Sequence, residues 1–143
     1  TPWQAYNAIF TDIAYACHAV IQARQFAANG TPVFQYQFEK NPDEHNMMGR
    51  IGVYHSAELP FVFGNLSVFS TPKNNRISKE MIALWTSFAH DGAPRADGAP
   101  EWPQFTPQNP AFLHIDVKPS IGMNLKKDAC DFWEGRFRKA YGE

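Results

Sequence analysis

Cysteine is scarce in this sequence: Cys17 and Cys130 are the two in 143 residues. With no Cys-x-x-Cys and no Cys/His cluster, that even count permits one disulfide without demanding it. The five histidines show no His-x-His, His-x-x-x-His or Glu-x-x-His spacing, which argues against a zinc site. Charge of one sign is lacking too. Thirteen basic residues face fourteen acidic ones, for a formal net charge of −1. The longest basic runs are "KK" and "RFRK", which speaks against a nucleic-acid track or a membrane-surface patch. No apolar run approaches the roughly 20 residues that a bilayer-spanning helix needs. Gly-x-Ser-x-Gly is missing, so the chain carries no nucleophile elbow. Gly-x-Gly-x-x-Gly and a phosphate loop are missing as well, and nothing in the sequence points to a cofactor. The chain opens "TPWQAYNAIF", with neither a starting Met nor a signal peptide, and that opening reads as a cut end.

What is present suffices for a core: 44% of the residues are apolar and 15% aromatic. "TDIAYACHAVIQARQFAANG" reads as a helix with Thr11 as N-cap and Asn29-Gly30 as its stop. Its apolar face holds Ile13, Ala16, Cys17, Val20 and Ile21. "TPVFQYQFEK" alternates with period two and is rich in aromatics, the pattern of a strand. The segment from Asn41 to His55 is polar and glycine-punctuated, and reads as a loop. A helix follows over about Arg76–His90, with Ile77, Met81, Leu84, Trp85 and Phe88 in one stripe. Gly92 to Pro110 is a loop with five prolines, pinned by Trp102 and Phe105. Two strands are predicted around Leu113–Val117 and Ile121–Leu125. The chain then ends in a helix whose face carries Cys130, Trp133, Phe137 and Tyr141. One early strand and a late pair do not complete a sheet. The expectation is an α/β chain that forms the end of something larger.

Among candidate functional residues His55 stands out. It lies in "GVYHSAELPFVFGNL", three residues before Glu58 and ahead of an apolar run. A loop imidazole there is either a general base or a structural histidine, and local pattern alone leaves both open. His18 and His90 read as structural or solvent-facing. His45 and His114 show no partner in sequence. The triplets "NGT" at Asn29 and "NLS" at Asn65 are N-glycosylation sequons, the first weakened by Pro32 directly after Thr31.

The stretch from Gly52 to Leu66 resembles the histidine segment of the type-B carboxylesterases and lipases, the group that includes the cholinesterases and the bacterial para-nitrobenzyl esterases. The family pattern runs Gly-x-x-His-x-x-Glu, a hydrophobic pair, then Phe-Val-Phe-Gly. Gly52, His55, Glu58, Phe61, Val62, Phe63 and Gly64 match it. "NGTPVFQYQFE", "ALWTSFAHDGAPRADGAPEWPQF" and "DACDFWEGRF" resemble the family's preceding strand, its next helix with a Trp-Pro-x-Phe loop, and the start of its last helix. The resemblance runs from about Thr11 to Phe137.

Several expectations come with this resemblance. The fold is an α/β-hydrolase, of which residues 1–143 would be the C-terminal part of one domain: helices plus about three strands of a larger mixed sheet, incomplete alone. The activity is carboxylic ester hydrolysis by a Ser–Asp/Glu–His triad. His55 is its histidine, and Glu58 orders the loop around it. Phe61, Phe63 and Met47 are candidates for one wall of a substrate pocket, with core packing the preferred expectation for the two phenylalanines. Serine, acid and oxyanion loop would lie upstream, so the expected partners are an N-terminal portion and a small-molecule or lipid ester. Cys17 would pair with Cys130, which implies an oxidising compartment and secretion. The competing expectation is a cholinesterase-like adhesion protein that kept the fold and lost the serine.

Overall fold

The computed structural model describes residues 2–41 and 52–142. His45 and Met47 lie outside the described residues. The chain forms two compact units. One comprises Thr1–Gln35, Gln104–Ala111 and Met123–Glu143, the other Tyr36–Pro103 and Phe112–Gly122.

In the first unit the chain is helical almost from its start. An α-helix, α1 (Pro2–Thr11), passes through a π-helical turn at Asp12–Ala16 into α2 (Cys17–Ala28). Thr11 is therefore not an N-cap. Its backbone is helical, with φ −60° and ψ −42°, and its side chain makes no capping bond. Nothing in "PWQAYNAIF" breaks a helix after Pro2, and proline is tolerated in a first helical turn. The expected stop is present: Asn29 caps α2, and Gly30 takes φ +79°. The amides of Gly30 and Thr31 then donate to the carbonyls of Ala27 and Phe26.

The last helix, α5 (Lys127–Tyr141), lies against α2. Cys17 and Cys130 form a disulfide across this pair, both at 0% exposure. Val20 is buried in the same cluster, and Leu125 and Trp133 pack against it. Around that apolar centre sit charged ties. Lys126 Nζ lies 2.6 Å from Asp12 Oδ1, and Arg24 bridges Asp131 at 2.8 Å and Glu134 at 2.9 Å. The half-exposed pairs contribute little each. The buried cystine and its apolar neighbours hold the two helices together.

The second unit carries the sheet, in the order β1 (Tyr36–Phe38), β2 (Ala111–Ile115), β3 (Ser120–Met123). β1 runs parallel to β2, with Tyr36 opposite Leu113 and Phe38 opposite Ile115. β2 turns back into β3 through Asp116–Pro119. The period-two stretch over Thr31–Lys40 thus yields a strand of three residues. Its ladder is prolonged by the amides of Glu39 and Lys40, both of which donate to Ile115 O. Gly122 is the residue that lets β3 close on β2. A Cβ placed there would lie 2.5 Å from Phe112 Cζ and 2.9 Å from His114 Cδ2.

Helix α4 (Pro72–Asp91) begins four residues before the predicted start. Thr71 is the cap: its Oγ1 accepts from the amide of Asn74 at 3.1 Å, and Pro72 opens the helix. Ile77, Met81 and Leu84 are buried, as their spacing implies. Phe88, at the far end of the stripe, is 45% exposed instead. Gly92 ends the helix at φ +74°. Trp102 is buried, meets Tyr36 edge-to-face and Trp85 at a tilt, and so pins the proline-rich loop to this unit. Phe105 is likewise buried, in the first unit.

Candidate active site

The segment that carries His55 is built on a short helix that the sequence pattern does not reveal, α3 (Leu59–Val62). Its four residues, "LPFV", read as an apolar run. Pro60 in the first turn costs no hydrogen bond there. Glu58 sits at the N-cap, and its carbonyl accepts from the amides of Phe61 at 2.9 Å and Val62 at 3.0 Å. Phe61 is the anchor. It is fully buried, and its ring lies 5.1 Å from that of Phe38 on β1. Its carbonyl accepts a 2.7 Å hydrogen bond from Ser78 Oγ of α4 in a buried position. Burying a phenylalanine is worth about 1.5–3 kcal/mol, so α3 is fastened to both β1 and α4.

From this foot the chain turns back through residues 55–58. Ala57 is buried at 1% exposure and its amide donates to Tyr54 O at 3.1 Å. His55 stands on the outside of the turn with its side chain exposed. The turn is made by two left-handed residues, Gly52 at φ +78° and Ser56 at φ +73°. Glycine adopts that conformation freely. A serine does so at a cost, and such residues collect where surrounding structure fixes a functional geometry. Ser56 immediately follows the histidine.

Glu58 is half-buried rather than a free surface carboxylate. It shares the wall of a hollow of about 440 Å³ with Tyr36, Phe63, Ile82 and Trp85. Burial pushes the Tyr36 phenol above its ordinary pKa, and the nearby Glu58 carboxylate pushes it further the same way. Tyr36 therefore remains a neutral phenol over the range in which an imidazole titrates. The two phenylalanines of the segment part company. Phe61 is core, whereas Phe63, expected in the core, is 77% exposed at the rim of the hollow. The short helix rotates it outward two residues after its partner.

The remaining described histidines are engaged elsewhere. His18 stacks on Phe137 with centroids 4.7 Å apart. His90 Nδ1 lies 2.6 Å from Asp91 Oδ1 at the end of α4, and His114 Nδ1 lies 3.0 Å from Glu39 Oε2 across the β1–β2 pair. Among the described residues no helix is long and apolar enough to cross a membrane, and no group of three or more His, Cys, Asp or Glu is placed to hold a metal ion. The sequon residues Asn29 and Asn65 are both exposed.

The model of the carboxylesterase family matches residues 1–133. Carboxylesterase 5A of the dog is 30% identical over 132 residues, covering 85% of this chain and 23% of that protein. Human cocaine esterase is 31% identical over 121 residues, covering 80% of this chain and 21% of its own. Chicken acetylcholinesterase is 30% identical over 138 residues, covering 91% of this chain and 18% of its own. The chain belongs to the carboxylesterase family; these relatives carry esterase names, and the helices and three-stranded sheet of this chain are consistent with an α/β fold. It spans about a fifth to a quarter of the length of these relatives.

Proposed function

We propose that this chain supplies the general base of a serine esterase. The role falls to His55, and the nucleophilic serine, the triad acid and the oxyanion donors come from an upstream portion of the same enzyme. The observation that carries this reading is the construction around His55. An exposed imidazole sits on a turn held by the left-handed Ser56, above a helix anchored through Phe61. That is a rigid mount for a side chain that must reach a partner outside the segment.

In the reaction the imidazole takes the proton of the serine hydroxyl as that oxygen attacks the ester carbonyl. It then returns the proton to the leaving alcohol, and repeats the exchange with water to release the acid. A carboxylate on the second ring nitrogen fixes the tautomer and stabilises the imidazolium. Glu58 is not assigned that part. Its backbone caps α3 and its side chain stands beside Tyr36, so its role is to order the turn. The substrate class is a carboxylic ester, small or lipid, and no cofactor enters the scheme. The buried Cys17–Cys130 cystine supports assembly in an oxidising, secretory compartment.

A fluorophosphonate probe tests the reading on the complete enzyme. Covalent labelling of a serine upstream of Thr1, with loss of p-nitrophenyl ester hydrolysis in step, is the expected outcome. A complete protein that neither labels nor hydrolyses such esters is a binding protein on this fold, and the proposal fails.

A further inference from the structure

The two sequons, already unequal as motifs because Pro32 follows the first, differ further as structures. Asn65-Leu66-Ser67 runs from the end of α3 into the first residue of a 3₁₀ turn at Ser67–Phe69. Leu66 is 6% exposed and plugs the interior, while Asn65 and Ser67 on either side are exposed. The backbone here is fixed from within: the Asn65 amide donates to Pro60 O at 2.9 Å, and the Phe69 amide to Leu66 O at 2.8 Å. Asn65 and Ser67 are thus both exposed on a backbone that is held by its own hydrogen bonds and by the buried Leu66. Two bare apolar side chains flank the site, Phe63 at 77% and Val68 at 86% exposure, and a carbohydrate would screen them.

Asn29 is differently placed. Its side-chain amide already donates to Gln25 O at 2.9 Å in the cap of α2. The residue after its Thr31 is Pro32, whose ring restricts the acceptor triplet's backbone.

We propose that Asn65 is the principal N-glycan acceptor of this chain, and that the loop between α3 and the 3₁₀ turn faces solvent in the complete enzyme. The inference rests on the secretory reading given above. The co-reactant is a lipid-pyrophosphate-linked oligosaccharide. Asn65 Nδ2 attacks its anomeric carbon, an N–C bond forms, and the bond from that carbon to the pyrophosphate oxygen breaks. The lipid pyrophosphate leaves with the electron pair, and one amide proton passes to a base of the transferring enzyme.

The test is expression of the complete protein through the secretory route of a eukaryotic cell. Secreted protein is treated with peptide-N-glycosidase in heavy-oxygen water, and peptide mass spectrometry then marks each former glycan site. Thiol alkylation of the same sample reads the Cys17–Cys130 bond. The expected result is heavy-oxygen aspartate at position 65 in most molecules and at position 29 in few. One step of gel mobility should be lost in both Asn65→Gln and Ser67→Ala, with none lost in Asn29→Gln. Secreted, disulfide-bonded protein with unmodified Asn65 overturns the proposal while the compartment reading stands. Occupancy of Asn29 equal to or above that of Asn65 overturns it too. Retention in the cell with free thiols overturns the compartment reading, and this inference with it.

Discussion

Ser56 carries the cost of the turn beside His55. Its φ of +73° is available to glycine without penalty and closed to a β-branched residue. In the complete enzyme, Ser56→Gly is expected to keep turnover within a few-fold and to hold or slightly raise the melting temperature. Ser56→Val is expected to lower ester turnover at least tenfold through displacement of the imidazole. Turnover and melting curves for the two variants side by side check this. Equal activity would show that the backbone at this position has no bearing on His55. Of the residues around the site, His55 is suggestive from local pattern alone, and Gly52, His55 and Glu58 together are picked out by the family resemblance. Ser56 gives no such signal: serine accepts many conformations, and nothing in its type marks the left-handed one it takes between the exposed His55 and the buried Ala57. Tyr36 is visible as a strand aromatic. Its place beside Glu58 depends on a contact across 22 positions of sequence, which no local period encodes.

Among the elements, the long helices are legible and the short ones are not. The stripe of α4 and the glycine after it are strong local signals. The missed first turns of α4 hang on one cap, Thr71, ahead of the polar residues Lys73 to Arg76. Thr71→Ala is expected to cost about 1 kcal/mol of stability, read as a lowered denaturation midpoint with unchanged slope. α3 is illegible because four apolar residues fit a strand or a loop equally well, and the Ser78–Phe61 bond that selects a helix comes from elsewhere in the chain. Gly122 exposes the opposite limit. A glycine in a strand signals close approach, without saying to what. The rings of Phe112 and His114 fill that space, so Gly122→Ala is expected to destabilise by about 1–3 kcal/mol through overpacking. Chemical denaturation gives the value, and an unchanged midpoint would mean that the two rings move aside freely.

For the whole molecule, the disulfide spans 113 positions and closes most of the chain into one loop. On the chain-entropy account a loop of that length is worth about 4–5 kcal/mol. Double replacement, Cys17→Ser with Cys130→Ser, is expected to lose most of that stability, measured by denaturation of the complete enzyme under non-reducing conditions. A loss below about 1 kcal/mol would assign the pair a packing role only. The pairing was legible from the family resemblance and not from the two cysteines alone, since their helices meet only in the tertiary fold. The central claim is that His55 is the base of the esterase, and the most direct measurement is turnover of an aryl ester by His55→Gln in the complete enzyme, with the melting temperature taken on the same sample. If His55 is the base, turnover falls at least 10²-fold, the lower end for general acid–base catalysis, at an unchanged melting temperature, while His18→Gln, His90→Gln and His114→Gln stay within a few-fold. A His55→Gln enzyme that is folded and keeps more than about a tenth of its turnover would contradict it.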